Sequence, residues 1–415
     1  MKRTALWCMA LTLAGAGSLG AQGLTMQMSN GWAFTFTGNV NAFLMYTHGT
    51  NDTPGPIDGG LVSTEQGSRI RTGLLPGFAN FEASGKEGDL NLKVHFGFAP
   101  QINSPGVHDA FGAQIDMREV YLTVGGSWGQ ILAGRELGLF QRQNILTDMT
   151  LFGTGASGGV VDAGGTTLGR IGFGYLYPNF NAQITYSTPA DKPAQFAIGL
   201  FDPSEVFGNG SNFVGTRLPR LETEFSWSGN LGSSSSGQMS NSNKVMFWVN
   251  GLVQHTNECS NDNDCGGTNP SVTSAGVGGG IKFDLSGLSL LGSGYYASGL
   301  GSTLMFGQVG NSALDGNNQA RKSKGYMGQI TYSQPGTKWM IGGSYGESKL
   351  DQTTFDQTDG DPAMVESNKA ADVLLSFQWT KSLRWVLEYT WARSQAYSGA
   401  QNTSNQGASG FMLFF

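Results

Sequence analysis

Two short strings in this chain have the spacing of enzyme motifs. Gly153-Thr-Gly-Ala-Ser-Gly158 fits a dinucleotide fingerprint, whose glycines let the backbone approach a pyrophosphate at a helix N-terminus. It follows no buried parallel strand and opens no convincing helix, and among 64 Gly such a match is cheap. Gly125-Gly-Ser127-Trp-Gly129 fits the nucleophile elbow, yet it joins two short strands where a helix should follow, so it reads as a tight turn. His48, His95, His108 and His255 have no metal-ligand spacing to one another, and neither a cofactor nor a metal is expected.

A second set of residues carries more. Arg69, Arg71, Lys93, His95, Arg118, Arg220, Lys282 and Arg384 recur at alternate positions within apolar segments, accompanied by Glu222, Glu224, Asp284 and Glu388. The elements that carry them have a period of two. Trp32, Phe34, Phe36, Val40, Ala42, Leu44 and Tyr46 share one parity, and Thr35, Thr37, Asn39 and Asn41 share the other. Leu90, Leu92, Val94, Phe96 and Phe98 repeat the pattern opposite Asn91, Lys93 and His95, and two more such strands follow at 373–379 and 383–391. One face of each strand suits lipid and the other water.

No segment offers about 18 consecutive apolar residues, which excludes a helical membrane protein. Lipid also excludes an open sheet, because each unpaired amide facing it costs several kcal/mol. A closed barrel remains. The composition agrees: 39% hydrophobic, 11% aromatic and rich in Gly. Charges near the midplane of the lipid face would cost about 2–4 kcal/mol, so the charged parity is assigned to a water-facing wall. Outward aromatics such as Trp32, Tyr46, Trp379, Trp385 and Tyr389 read as interfacial girdles rather than a sugar-binding slide.

Both ends of the chain point to the same compartment. Lys2 and Arg3 precede an apolar run from Ala5 to Ala16, followed by Ser18, Gly20 and Ala21, which reads as a signal peptide over 1–21, leaving 22–415 as one barrel domain. At the other end Phe411, Leu413 and Phe415 alternate up to an aromatic terminus, as a last strand that must pair with the first. The net charge is -6, or -8 without Lys2 and Arg3, which argues against a nucleic-acid partner. Cys259 and Cys265 read as a small-loop disulfide in an oxidising compartment; Glu258, Asp262 and Asp264 beside them offer oxygen ligands for calcium, but without the spacing of a complete EF-hand.

Short turns at 86–89, 286–287, 335–338 and 381–382 alternate with long polar loops at 47–66, 100–114, 202–217, 255–271, 301–323, 351–368 and 397–407. Short periplasmic turns and long extracellular loops are expected of an outer-membrane barrel. Sixteen strands fit, with the Ser-rich connection 229–242 unusually long for its side; a separate strand at 170–177 would make eighteen. One connection, about 136–177, is far longer than the rest and lies after the fifth strand.

Arg118-Glu-Val-Tyr-Leu-Thr-Val-Gly-Gly-Ser-Trp-Gly-Gln-Ile-Leu-Ala-Gly-Arg135 resembles the strand, turn and strand before the constriction loop of Gram-negative outer-membrane porins. Asn181-Ala-Gln-Ile-Thr-Tyr-Ser-Thr-Pro189 resembles the strand leaving that loop, and Pro219-Arg-Leu-Glu-Thr-Glu a later strand of substrate-selective members. The resemblance implies a sixteen-stranded barrel, commonly a homotrimer, whose third extracellular loop folds inward and narrows the pore. It also implies that Phe411, Leu413 and Phe415 form a terminal signature read by the outer-membrane barrel assembly machinery. The acidic Pro-Glu-Phe-Gly segment of the enterobacterial loop is missing here, so that charge layout is not carried over.

The expected function is a water-filled outer-membrane channel for passive diffusion of small hydrophilic solutes and ions, surrounded by outer-membrane lipid and lipopolysaccharide. Its working parts would be a basic wall facing Glu136, Asp148 and Asp162 on the folded loop, with Arg135 and Arg142 near its root. A substrate-selective anion or dicarboxylate channel is the alternative within transport, suggested by the arginines on strands two, four and eight. Outside transport stand an adhesin or structural barrel and, with no Ser or Asp constellation around a His to support it, a surface enzyme.

Overall fold

The computed structural model describes residues 23–103, 115–158, 165–207, 212–231, 243–258, 270–307 and 313–415. The expected leader, Asp162, His108 and the pair Cys259 and Cys265 lie outside the described residues. Sixteen antiparallel strands close into one barrel. In chain order they are β1 (Ala33–Thr53), β2 (in two pieces, Gln66–Arg71 and Phe78–Glu87), β3 (Leu90–Pro100), β4 (Ile115–Gly126), β5 (Gly129–Leu137), β6 (Phe180–Ser187), β7 (Ala194–Phe201) and β8 (Arg220–Leu231). Then come β9 (Asn243–Glu258), β10 (Ser271–Leu285), β11 (Leu288–Ser298), β12 (Lys322–Ser333), β13 (Trp339–Leu350), β14 (Val365–Gln378), β15 (Leu383–Ala396) and β16 (Gln401–Phe414).

Each strand pairs with the next, and β1 closes the ring on β16 with Val40 opposite Leu413 and Ala42 opposite Phe411. Closure removes every long sheet edge, which is what lipid demands. The terminal Phe415 exchanges both backbone hydrogen bonds with Gly38, at 2.9 and 3.0 Å, and its ring lies 5.1 Å from that of Phe36. A short strand, Leu24–Gln27, pairs with Ala33–Phe36 of β1 just beyond that terminus.

Turn chemistry accounts for the tight end. Between β10 and β11, Ser286 and Gly287 both have positive φ, 50° and 99°, the two-residue turn whose twist suits a hairpin. Outward positions such as Leu44, Ile70, Ile184, Val249, Ile330, Val373 and Leu413 are exposed and apolar, while their neighbours in sequence face inward.

Several boundaries differ from the sequence reading. β1 runs to Thr53 and β16 starts at Gln401, so the first long loop covers only 54–65 and the last only 397–400. Residues 170–177 do not enter the sheet; Ile171 and Tyr175 form an isolated bridge with each other, and the count is sixteen rather than eighteen. The break in β2 was not expected. Residues 72–77 leave the wall and push Leu74 and Leu75 inward, and Asn41 and Asn39 of β1 hold the excursion through the carbonyls of Leu75 and Pro76 at 2.8 and 3.1 Å.

Candidate functional site

The connection between β5 and β6 runs inside the barrel. Its contacts fall on inward-facing residues almost all the way round, so its path can be followed bond by bond. At its root, Glu222 of β8 accepts hydrogen bonds from the backbone N–H of Leu139 and Phe140 at 2.8 and 2.9 Å. Arg142 then pairs with Glu224, two residues along the same face of β8.

A short helix, α1 (Arg142–Thr147), follows, and the Nε1–H of Trp248 on β9 donates to Asn144 at 2.9 Å. Gln329 of β12 takes the Met149 N–H at 2.7 Å and donates to the Thr147 carbonyl at 3.1 Å. Farther on, Glu388 of β15 accepts from the N–H and hydroxyl of Thr154 and from the N–H of Gly155, at 2.6, 2.9 and 2.7 Å. Arg71 of β2 donates to the carbonyls of Gly165 and Thr166, and Ser348 of β13 accepts from the Gly174 N–H.

Such bonds satisfy amides that would otherwise be buried and orphaned. Between them the segment packs apolar side chains against the wall. Ile145, Met149, Leu151, Phe152, Ile171 and Tyr175 share one cluster with Phe43, Met45, Trp248, Leu374 and Met412. Gly155, at φ 54°, allows the two limbs to cross, since a Cβ there would lie 2.4 Å from the Gly169 Cα. Truncating Phe43 to alanine should therefore cost about 3–5 kcal/mol of barrel stability, read from urea unfolding in lipid vesicles. A cost under about 1 kcal/mol would mean that the cluster is loosely packed.

The candidate charges divide into tethers and lining. Arg71 and Arg220 are wholly buried; Arg220 donates through Nε to Glu222 at 2.8 Å and stacks over Phe201 and Phe306. Arg170, which the sequence reading passed over, is equally buried and binds Ser344 of β13. Arg69 is half-buried on the same face as Arg71.

Three positions differ from expectation. Asp148 does not face a basic wall: its Oδ1 accepts from Thr150 and its Oδ2 from the Tyr175 hydroxyl, so it organises the segment from within. Arg135 pairs in register with Val120 and Ala182 on the exposed outer face, because β5 alternates Ile131, Ala133 and Arg135 outward. Glu136 does face inward, but from β5 itself, where it takes the Leu137 N–H at 2.8 Å.

The lining is an ion-paired patch on β2–β4. Lys93 lies 3.3 Å from Glu82, and His95 bridges Glu82 and Glu119 at 3.6 and 2.9 Å. Tyr121 stacks on the His95 ring, with centroids 4.8 Å apart. These four ionic side chains pair among themselves across three strands and keep 10–16% of their surface exposed. Arg118, beside them on β4, pairs with Asp116 and donates to the Tyr177 hydroxyl at 3.2 Å.

At the long-loop end, loop 54–65 folds over the mouth. Asp58 and Met364 form a parallel bridge, Leu61 and Val62 donate to Ser394 of β15, and Val62 packs with Phe173 and Ala392. Partial burial, with the hydrogen bond and charge of Asp361, raises the Asp58 carboxyl above its usual 3.8. A raised value means that the Asp58–Asp361 contribution to this clasp is present at low pH and is lost as pH rises through that value. A nitroxide on Pro56→Cys should therefore become more mobile from acid to neutral pH. The same probe in an Asp58→Asn background should show no such change, and a pH-independent parent would refute the clasp.

No family model matches the chain, and no curated protein matches it in sequence. Solved structures do match in shape. The outer membrane channel DcaP of Acinetobacter baumannii superposes with a TM-score of 0.66 at 15% identity, over 94% of this chain and 99% of that one. An anion-selective porin from Comamonas acidovorans gives 0.61 at 11%, over 92% and 100%. Salmonella typhi OmpF, in complex with daunomycin, gives 0.53 at 13%, over 94% and 100%. At such identities the likeness speaks for architecture alone, and the architecture of this chain is the closed sixteen-stranded antiparallel barrel of the outer-membrane porins.

Proposed function

We propose that the protein is an outer-membrane porin, a water-filled channel through which small hydrophilic solutes and ions diffuse passively. The observation that carries this reading is the separation of roles inside the barrel. Glu222, Glu224, Gln329, Ser348 and Glu388 clamp the inward segment, while Lys93, Glu82, His95 and Glu119 on β2–β4 remain partly exposed and paired with one another. Solutes would pass between the segment and that charged wall, sorted by width and field.

The narrower reading, a selective anion or dicarboxylate channel, rested on the arginines of β2, β4 and β8. Arg71 and Arg220 have no exposed surface, and their donors serve backbone carbonyls, Glu222 or the Ser204 hydroxyl. Arg69 and Arg118 of that set keep some exposure, and Arg118 is paired with Asp116. General diffusion is therefore favoured.

Liposome swelling tests the proposal. Vesicles containing the protein should admit small neutral sugars at rates that fall with solute size; impermeable vesicles would leave an adhesin or structural barrel. Neutralising Glu82 and Glu119 together should move the cation-to-anion permeability ratio towards anions by a factor of about two or more, read as a reversal potential in a salt gradient. An unchanged ratio would remove the wall patch from the solute path.

The proposal extends to a homotrimer, to export with cleavage after Ala21, to a Cys259–Cys265 bridge and to a pore position for Asp162. Light scattering of the purified complex and intact mass before and after reduction test the first three. For the fourth, Asp162→Asn should alter the permeability ratio.

A further inference from the structure

A cavity of about 190 Å³ opens where three elements meet: Tyr177, Asn179 and Asn181 at the end of the inward segment and the start of β6, Ser204 after β7, and Leu304, Met305 and Phe306 after β11. Two of its lining residues, Asn179 and Phe306, hold positive φ values of 55° and 68°. For a phenylalanine this is an outlier, of the kind that persists where the surrounding structure over-determines a functional position.

The polar groups are set in advance. The Tyr177 oxygen accepts from Arg118 and the Ser204 oxygen accepts from Arg220 at 2.8 Å, so each hydroxyl keeps its own proton to donate. Asn179 spends its carbonyl on the Phe180 N–H and keeps its amide donors; Asn181 spends its amide on the carbonyls of Pro178 and Asn179 and keeps its oxygen. Several donors and one acceptor thus share a pocket with an apolar side formed by Leu304, Met305 and Phe306.

Charge decides the ligand class. Both arginines behind the cavity are already neutralised, Arg220 by Glu222 and Arg118 by Asp116, each at 2.8 Å. What remains is a neutral site with hydroxyl-matching groups on one side and an apolar surface on the other. We infer that this cavity is a binding subsite for a neutral polyhydroxylated ring of single-sugar size, its C–H face on Leu304 and its hydroxyls on Tyr177, Ser204, Asn179 and Asn181. The inference rests on the porin reading for its access to solutes, but not for the binding itself.

Two measurements on the purified full chain test it. Calorimetry in detergent, with glucose as probe and glucuronate as its charged counterpart, should show saturable glucose binding that Leu304→Ala and Asn181→Ala each weaken by about tenfold or more. Ser204→Ala, a smaller change, should weaken it several-fold. In planar bilayers, glucose should reduce the open-channel current saturably over the same concentration range. Channels that open yet ignore glucose, with no calorimetric binding, would overturn the subsite and leave the porin reading intact. Glucuronate binding tenfold tighter than glucose would overturn the neutral assignment. Calorimetric binding without any channel would keep the subsite and reject the porin reading.

Discussion

Replacing Glu222 by alanine is expected to destabilise the barrel by about 3–5 kcal/mol and to release the root of the inward segment. Glu222 is completely buried and makes three bonds: it accepts from the backbone of Leu139 and Phe140 and from the guanidinium of Arg220 at 2.8 Å. Removing it leaves a charge without a partner in a site with no exposed surface, together with two orphaned amides. Urea unfolding in lipid vesicles would read the first effect, and larger fluctuations of the open-channel current would read the second. Glu222→Gln keeps the shape and one acceptor, so it should lose less. An alanine variant within about 1 kcal/mol of the parent, with an equally quiet current, would mean that the tether is dispensable.

Deleting Phe415 should impair assembly far more than it alters permeation. The residue contributes two backbone hydrogen bonds to Gly38 and a ring contact to Phe36 at the seam between β16 and β1. At roughly 1 kcal/mol each, the two bonds alone correspond to a loss of about thirtyfold in closed over open barrel. Phe411 and Leu413 face outward on the same strand while Met412 faces the lumen, so the deletion leaves the wall of the pore intact. The fraction of heat-modifiable folded protein should fall, and the channels that do assemble should keep the parental conductance. Normal assembly of the truncation would contradict this account of the terminus.

The barrel was legible in the sequence because its period is two and its turns alternate short and long. The same parity placed Glu222 and Glu388 inward correctly. Their work was not legible, because their partners are backbone amides of Leu139, Phe140, Thr154 and Gly155, far away in sequence and carrying no side-chain signal.

Phe43 and Met45 illustrate a second limit. They sit on the inner face of β1, apolar where water was expected, because the inward segment gives them a partner. The break in β2 had a local sign, Pro76-Gly77, in the middle of a run that reads as strand. Arg135 is different: it shares parity with Ile131, so its outward position was readable and the motif around it obscured that. Asp148 could not have been placed, since its role depends on Tyr175 returning to it from 27 residues away.

The central claim is that a continuous water path survives between the clamped inward segment and the β2–β4 wall. Single-channel recording of the purified protein in planar bilayers tests it most directly. The account predicts discrete, long-lived conductance steps in the parent and noisier openings in Glu222→Ala. Correctly folded protein that inserts and yet passes no current would contradict it.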